Sequence, residues 1–527
     1  MAVHTIIRDF HQARWDEPII FEMSNPGETG IKLPEIEPEI ETETGDIDQL
    51  IPRELLRSDS PSLPEIAQMR VLKHYLHLSQ ENLGADLNVD IGQGTCTMKY
   101  SPKINEHFAS SPKVVDLHPL QDEETFQGTL EIMYNLEQYL KSISGMDRFS
   151  LQPGGGSHAI LAIVSMIRTW INDQGLGDSK DEIITTMFSH PSNYAVAKTK
   201  GFKVINIYPD PETGRPDFEA FKAAVSDRTA ALLITNPEDI GCYNDKIKEF
   251  TDLVHKHGGL CSYDQANANG VLGVSRAKEA GFDICFFNVH KTFSSPHGCG
   301  GPGCGVVGVK DYLSPYLPVP LTSYDQKSGK YYLDYDLPKT IGKVKDFYGV
   351  IPAIIRAYAW IMSLGAEGLL EVSRVAVLNN NYILRKVLAM EGTEVPYAEG
   401  EHRMEQVRYS FQPLKNDTGC GFEEVQRRIS DFGCHIWNSH EPFIVPEPFT
   451  IEPTESYSKD EIDEYLAVLE KIIAEAYTEP EVLKTAPHNS AIHHIKEHKY
   501  LDDPKLWAIT WRMYKNRYEG YFKLKKG

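Results

Sequence analysis

Cysteine is sparse in this chain and basic charge is in deficit. Eight cysteines among 527 residues (Cys96, Cys242, Cys261, Cys285, Cys299, Cys304, Cys420 and Cys434) stand scattered without a CxxC pair, so a disulfide-stapled scaffold is excluded and reduced thiols are expected. A net charge of −22 sets the global field against polyanions, which argues against nucleic acid or an anionic membrane as a partner. No stretch approaches the roughly 18 uninterrupted apolar residues of a membrane span. The start, Met1 to Phe10, lacks the apolar core of a signal peptide, and a cytoplasmic protein is expected. Metal ligands are also short: Lys496 and Lys499 interrupt His493, His494 and His498, and Cys299 and Cys304 flank a glycine turn without a histidine-cysteine set. No metal is expected.

What is present is a globular composition, 41% hydrophobic, in a chain too long for one ordinary core. The patterning predicts an extended N-terminal arm with helices over 1–90, a large α/β domain over 91–345, and C-terminal helices with a small α+β domain over 346–527. From Asn25 to Asp46 glutamates alternate with proline, isoleucine and threonine, so neither regular helix nor central strand is expected there, and the segment reads as an arm over a partner or over its own domain. Leu130, Ile132, Met133, Leu136, Tyr139, Leu140 and Ile143 have helical spacing that closes at Gly145. Apolar runs at Ile183-Met187, Val204-Tyr208, Ala231-Thr235, Leu260-Tyr263 and Ile284-Phe287 alternate with helical segments such as Asp245 to His257. That alternation predicts a mostly parallel sheet covered on both faces. Helices from Ile351 to Leu364 and Leu369 to Leu388 follow, then a lobe with strands at Val407-Phe411 and Phe443-Ile451.

Ligands of such sheets bind at the carboxyl ends of the strands, and the chemistry-bearing residues gather there. Asn288-Val289-His290-Lys291-Thr292-Phe293 places an amine between a polar strand end and a glycine-rich loop that runs on to Gly303. An amine that attacks an aldehyde needs a fixed position, and glycines let backbone amides approach a phosphate. The pair points to pyridoxal 5'-phosphate. Upstream, the run Leu260-Cys261-Ser262-Tyr263 ends in Asp264, a carboxylate placed to keep a pyridine nitrogen protonated. Gly154, Gly155, Gly156 and Ser157 precede an apolar helix, where free amides and the helix dipole make an anion site. His190 follows another strand and is suited either to stacking on a pyridine or to capping a helix. Thr235 closes a further strand, with cofactor hydrogen bonding or turn chemistry as its two readings.

Further markers join these: Gly94-Thr95-Cys96-Thr97-Met98-Lys99-Tyr100, His118-Pro119-Leu120-Gln121, Leu151-Gln152-Pro153, Thr235-Asn236-Pro237, Asp264 with Ala266-Asn267, and Ile451-Glu452-Pro453-Thr454-Glu455-Ser456. With them the chain resembles the glycine decarboxylase P-protein family, specifically the second subunit of its split form. The resemblance runs from about Phe21 to Pro487. It implies a fold-type I architecture, a Schiff-base lysine at Lys291, a pyridinium partner at Asp264 and a stacking histidine at His190. Gly155, Gly156, Ser157, Thr235, Ala266 and His290 complete the implied cofactor contacts. It also implies glycine as substrate, a lipoylated H-protein as acceptor, and a companion subunit 1 in a hetero- or homo-oligomer.

Several positions depart from the family pattern: Gly154-Gly155, Ile160, the run His190-Pro191-Ser192-Asn193-Tyr194, the run His435-Ile436-Trp437-Asn438, and Val350-Ile351-Pro352. They are expected at pocket walls. Two other readings therefore stay open, a relative acting by the same cofactor on another amino acid, and a catalytically silent structural subunit.

Overall fold

The computed structural model describes residues 7–45, 47–59, 61–84, 88–89, 91–92, 99–297, 301–439, 444–491 and 510–511. Cys96, Cys299, Phe443, His493, His494, His498 and the motif positions 94–98 lie outside the described residues. The chain divides into two compact units, one of Met1–Asp9 with Ala85–Ala486 and one of Phe10–Gly84 with Pro487–Gly527.

The first unit is built on a seven-stranded sheet of β1 (Arg148–Ser150), β2 (Glu182–Thr186), β3 (Lys203–Ile207), β4 (Thr229–Thr235), β5 (Leu260–Gln265), β6 (Ile284–Asn288) and β7 (Gly305–Val309), in the order β1-β7-β6-β5-β4-β2-β3. Strands β3, β2, β4, β5 and β6 are parallel, while β7 runs antiparallel to both its neighbours. The fold is α/β, with the mostly parallel sheet that the repeated apolar runs call for. Every residue of β5, β6 and β7 is buried, as strands covered on both faces must be. Alternate residues serve opposite faces: Leu232 and Ile234 join one core cluster, Ala231 and Leu233 another.

Helix Ile247–Lys256 shows why the covering layers form. Ile247, Phe250, Thr251 and Val254 are its buried residues, the i, i+3, i+4, i+7 stripe of a helix lying on a sheet. Helix Gln127–Ser144 ends at Gly145, which takes the left-handed conformation (φ 76°) that terminates helices cheaply. The long helical segment Ile351–Val387 is broken at Gly365, whose φ of 65° and ψ of −174° part it into the two helices the sequence predicts. Beyond it, a smaller lobe pairs β10 (Val407–Ser410) with β11 (Pro448–Ile451) over a second core centred on Phe411, Phe449 and Tyr465; β8 (Leu321–Asp325) and β9 (Lys330–Asp334) form a separate hairpin.

The second unit carries one correction. A seven-residue helix, Pro38–Thr44, stands in the proline- and glutamate-rich arm where no regular helix is expected. Proline is tolerated at the first helical position because its missing N–H would have no partner there, and Glu39 and Glu41 face the positive end of the helix dipole. Thr42 and Thr44 return their hydroxyls to carbonyls four residues back. All seven residues are exposed.

Phe250 is fully buried, with ring centroids 4.2 Å from Phe221 and 5.0 Å from Phe218. Phe250→Ala is expected to cost about 3–5 kcal/mol in urea unfolding, whereas Met362→Ala, at a side chain 55% exposed, should stay within about 0.5 kcal/mol.

Candidate active site

Past the carboxyl ends of β5 and β6 lies a cavity of about 280 Å³, lined by Gly154, Gly155, Gly156 and Ser157 on one side and by Asp264, Ala266, Asn288 and Lys291 on another. His190, Ser192, His290 and His297 reach the same space. An amine, a buried carboxyl group and a helix N-terminus therefore converge on one opening. Of the sequence-predicted residues, Thr235 alone does not line it.

The sheet sets the positions. In the ladder Asp264 pairs with Thr235 of β4 on one side and with Phe286 of β6 on the other. Lys291 sits three residues beyond the end of β6, in a turn closed by its own N–H donating to Asn288 O at 3.0 Å. Helix Gly156–Asp173 starts at the third glycine of the run, aiming its free amides into the cavity. A Cβ on Gly156 would come within 2.8 Å of the Asn288 side-chain amide, so any larger residue there would have to displace that side chain from the cavity wall.

Asp264 is buried and doubly held. Ala266 N–H donates to its Oδ1 at 3.0 Å and Asn193 Nδ2 to its Oδ2 at 2.9 Å. Burial nonetheless pushes its carboxyl above the usual range, against the lowering effect of those donors and of Lys291. Asn193 is a site residue that sequence reasoning missed as such; it lies on the helix His190 caps, 71 positions from its partner.

His190 does both things its sequence allows. Its Nδ1 accepts the Ser192 N–H at 3.1 Å as the N-cap of helix Pro191–Thr199, and its ring borders the cavity. His290 borders the cavity too, but its Nδ1 accepts from Cys304 N–H at 3.1 Å, and burial lowers its pKa to about 4, so it stands as a neutral ring holding the returning loop. His297 meets His290 edge-on at 5.4 Å between ring centroids. No helix or strand pattern marks His297, because it sits on a loop. Among the described residues, Asn288 Oδ1 on the cavity wall is a buried polar atom without a partner; Thr235 Oγ1, beside Asp264 in the ladder but off the cavity, is another.

The departures expected at pocket walls fall into two groups. Gly154, Gly155 and Ile160 line the cavity, whereas Tyr194, Trp437 and Val350-Ile351-Pro352 do not. Tyr194 lies under Lys198 Nζ, 4.2 Å from its ring, and Trp437 bridges to Thr450 of β11 in the smaller lobe. Elsewhere, His255, Cys261 and Asp283 come together like metal ligands, yet Asp283 already bonds His255 Nε2 at 2.7 Å and Lys310 Nζ at 2.9 Å, so an ammonium holds the cationic place.

Fold and site together define a class, the lysine-bearing α/β enzymes of the class-V aminotransferase type, and residues 154–328 match that family's model. Residues 372–493 match a second model, the C-terminal domain of glycine dehydrogenase. Over 506 residues the chain is 47% identical to the probable glycine dehydrogenase (decarboxylating) subunit 2 of Pyrococcus horikoshii, covering 96% of this chain and 98% of that one. Identity to the proteins of the same description is 48% over 506 residues in Pyrococcus abyssi, with the same coverage, and 42% over 479 residues in Caldanaerobacter subterraneus, covering 91% and 96%. The chain belongs to the family of glycine dehydrogenase (decarboxylating) subunit 2 enzymes. Its fold is similar to that of a crystallised glycine decarboxylase (P-protein) of the glycine cleavage system in inhibitor-bound form, with a TM-score of 0.69 at 18% identity over 84% of this chain and all of that one. A NifS-like protein follows with a TM-score of 0.56 at 16% identity over 73% of this chain and 99% of that one.

Around the site the interior is rich in carboxyl groups whose charged form burial disfavours: Glu238 and Glu405 are raised to about 8 and Glu452 to about 7, from an ordinary value of 4.5. Each binds its proton more tightly folded than unfolded, so the stability they contribute is fully present below about pH 4.5 and is lost as pH rises through about 7 to 8. The urea midpoint of the protein without added ligands is therefore expected to fall between about pH 6 and about pH 8.5, and Glu405→Gln should flatten that slope by up to ~1.4 kcal/mol per pH unit. Equal slopes in the two proteins would remove Glu405 from this role.

Proposed function

We propose that this chain is the decarboxylating subunit 2 of a glycine dehydrogenase, binding pyridoxal 5'-phosphate in the cavity and releasing the carboxylate of glycine as carbon dioxide. The observation that carries the reading is the meeting of Lys291, Asp264 and the glycine-started helix at one opening, in a chain about half identical to relatives of that description. The residues fit the group. The unpartnered Asn288 Oδ1 is a buried polar atom on the cavity wall, and the glycine cradle has no Cβ to keep an anion away.

When bound, the cofactor withdraws into its ring the electron pair that the departing carboxylate leaves behind. Lys291 would supply the amine that holds the aldehyde carbon and would carry a proton at its own Nζ. Asp264 would face the ring nitrogen. Burial pushes its carboxyl up despite Lys291, and a protonated ring beside it would favour the ionised form that Asn193 and Ala266 are already placed to hold. Gly155, Gly156 and Ser157 would present amides to the phosphate, with the helix dipole behind them. His190, fixed by its capping bonds, offers a ring face for stacking, and Thr235 a hydroxyl. Ala266 leaves room where a longer side chain would fill the cavity, and His290 positions the loop at Cys304.

On this reading the acceptor is the lipoyl disulfide of an H-protein, and subunit 1 is the companion chain. The arm suits that companion: Ile31, Leu33, Ile36, Leu50, Leu55 and Leu63 are each between 71% and 82% exposed, an apolar display that needs a cover. A second copy of a chain carrying −22 would meet it with like charge. Of the departures that prompted the reading of another amino acid as substrate, Tyr194 and Trp437 stand outside the cavity, whereas Gly154, Gly155 and Ile160 line it.

With companion subunit and lipoyl carrier added, carbon label should exchange between bicarbonate and the glycine carboxylate, and Lys291→Ala should lower that exchange by ~10³-fold or more. Exchange only with another amino acid, or exchange indifferent to Lys291→Ala, contradicts the proposal. Leu33→Asp with Leu50→Asp should abolish co-elution with the companion subunit while leaving the monomer's melting temperature within about 2 °C, since both side chains are exposed.

A further inference from the structure

Strand β11 ends at Ile451, and the next residue leaves the smaller lobe for the interior of the larger one. Glu452 is fully buried. Its N–H donates to Ile91 O at 3.1 Å, which fixes the backbone. Its carboxylate then spans two asparagines of the loop after β5. Oε1 accepts from Asn267 Nδ2 at 2.8 Å and from Asn269 Nδ2 at 2.6 Å, and Oε2 accepts from Asn267 Nδ2 at 2.9 Å.

That loop is the continuation of the strand bearing Asp264. Ala266 lines the cavity and gives its N–H to Asp264, and the Ala268 N–H donates to Thr292 Oγ1 at 2.8 Å, one residue from Lys291. Asn267 Oδ1 accepts the Asn269 N–H at 3.0 Å, so the two asparagines are also tied together. The turn is thus pinned at Asp264, beside Lys291, and at Glu452.

A fully buried carboxyl group is a poor way to join two lobes, because apolar residues of equal volume generally serve stability as well or better. The charged groups felt there are Lys291 and Lys99 of the larger lobe and Glu405. Lys99 is itself held at 2.9 Å by Glu455 and lies 4.9 Å from the Trp360 ring. An arrangement this polar constrains direction more than it adds stability.

We propose that Glu452 is a positioning residue for the cofactor's ring nitrogen: through Asn267 and Asn269 it fixes the turn that carries Ala266, and with it the orientation of Asp264. The inference rests on the reading that Asp264 faces that nitrogen. Glu452 touches neither cofactor nor substrate; it acts through the asparagines.

The test is a pH titration of the visible absorbance of the pyridoxal-phosphate-loaded protein, with the cofactor dissociation constant from equilibrium dialysis and the melting temperature of the same samples. Glu452→Gln keeps the shape and one acceptor oxygen but puts a donor where the other oxygen accepts from an asparagine amide. It should shift the apparent pKa of the absorbance by about half a unit or more and weaken cofactor binding by about tenfold, the lower end of what removing an outer partner of a liganding group costs. Asn267→Ser, which removes the donor from the other side, should reproduce the shift in a protein whose lobes keep Glu452. Ile451→Val, a neighbouring core trim, should lower the melting temperature without moving the absorbance. A wild-type absorbance whose pKa stays in place in Glu452→Gln and Asn267→Ser overturns the proposal alone. A wild-type protein with no such absorbance overturns the cofactor reading and the proposal with it.

Discussion

Asp264 stands in the ladder between Thr235 and Phe286, and the position of every group in the cavity follows from that register. Strands buried on both faces cannot slip without moving a whole set of apolar residues out of the core, so the carboxyl group at the end of β5 is held as firmly as the sheet itself. The turn after β6 then brings Lys291 to the same rim, and the antiparallel β7 returns the chain so that Cys304 N–H meets His290. A change in any of these pairings would separate the amine from the acid before it altered either residue.

The surroundings of this rim are costly for stability. Glu238, Asp239, Glu405 and Glu452 are buried together, and only Asp239 has a guanidinium partner, Arg408 at 2.7 Å. Glu238 meets the Thr186 hydroxyl, while Glu405 Oε2 and Asn269 Oδ1 have no partner at all. Protonation is the physical answer to such crowding, since burial penalises the charged form and each neighbouring carboxylate adds to the penalty. The smaller lobe supplies Glu405, Arg408 and Glu452 to this region, so the two lobes meet through polar groups as well as through packing.

Much of this was legible in the sequence because it is local. Apolar runs ending in Asp264 or followed by Lys291 are strand ends by pattern, and a glycine run before an apolar helix is an anion site wherever it occurs. The likeness in Lys99-Tyr100, Asp264 and Ile451-Glu452 added the family, which the relatives bear out. What escaped is long-range. Asn193 meets Asp264 across 71 positions and Glu452 meets Asn267 across 185, and no periodicity encodes such pairs. Spacing also says nothing about where a side chain turns, so Tyr194 and Trp437 read as pocket walls yet do not border the cavity. Helix Pro38–Thr44 was missed for another reason: a proline that breaks a helix in its interior starts one at its first turn.

The account stands on a covalent attachment at one amine. Borohydride reduction of the protein loaded with pyridoxal 5'-phosphate, followed by peptide mass mapping, measures this most directly. The predicted result is the reduced adduct on the peptide containing Lys291; an adduct on any other lysine, or none, contradicts it.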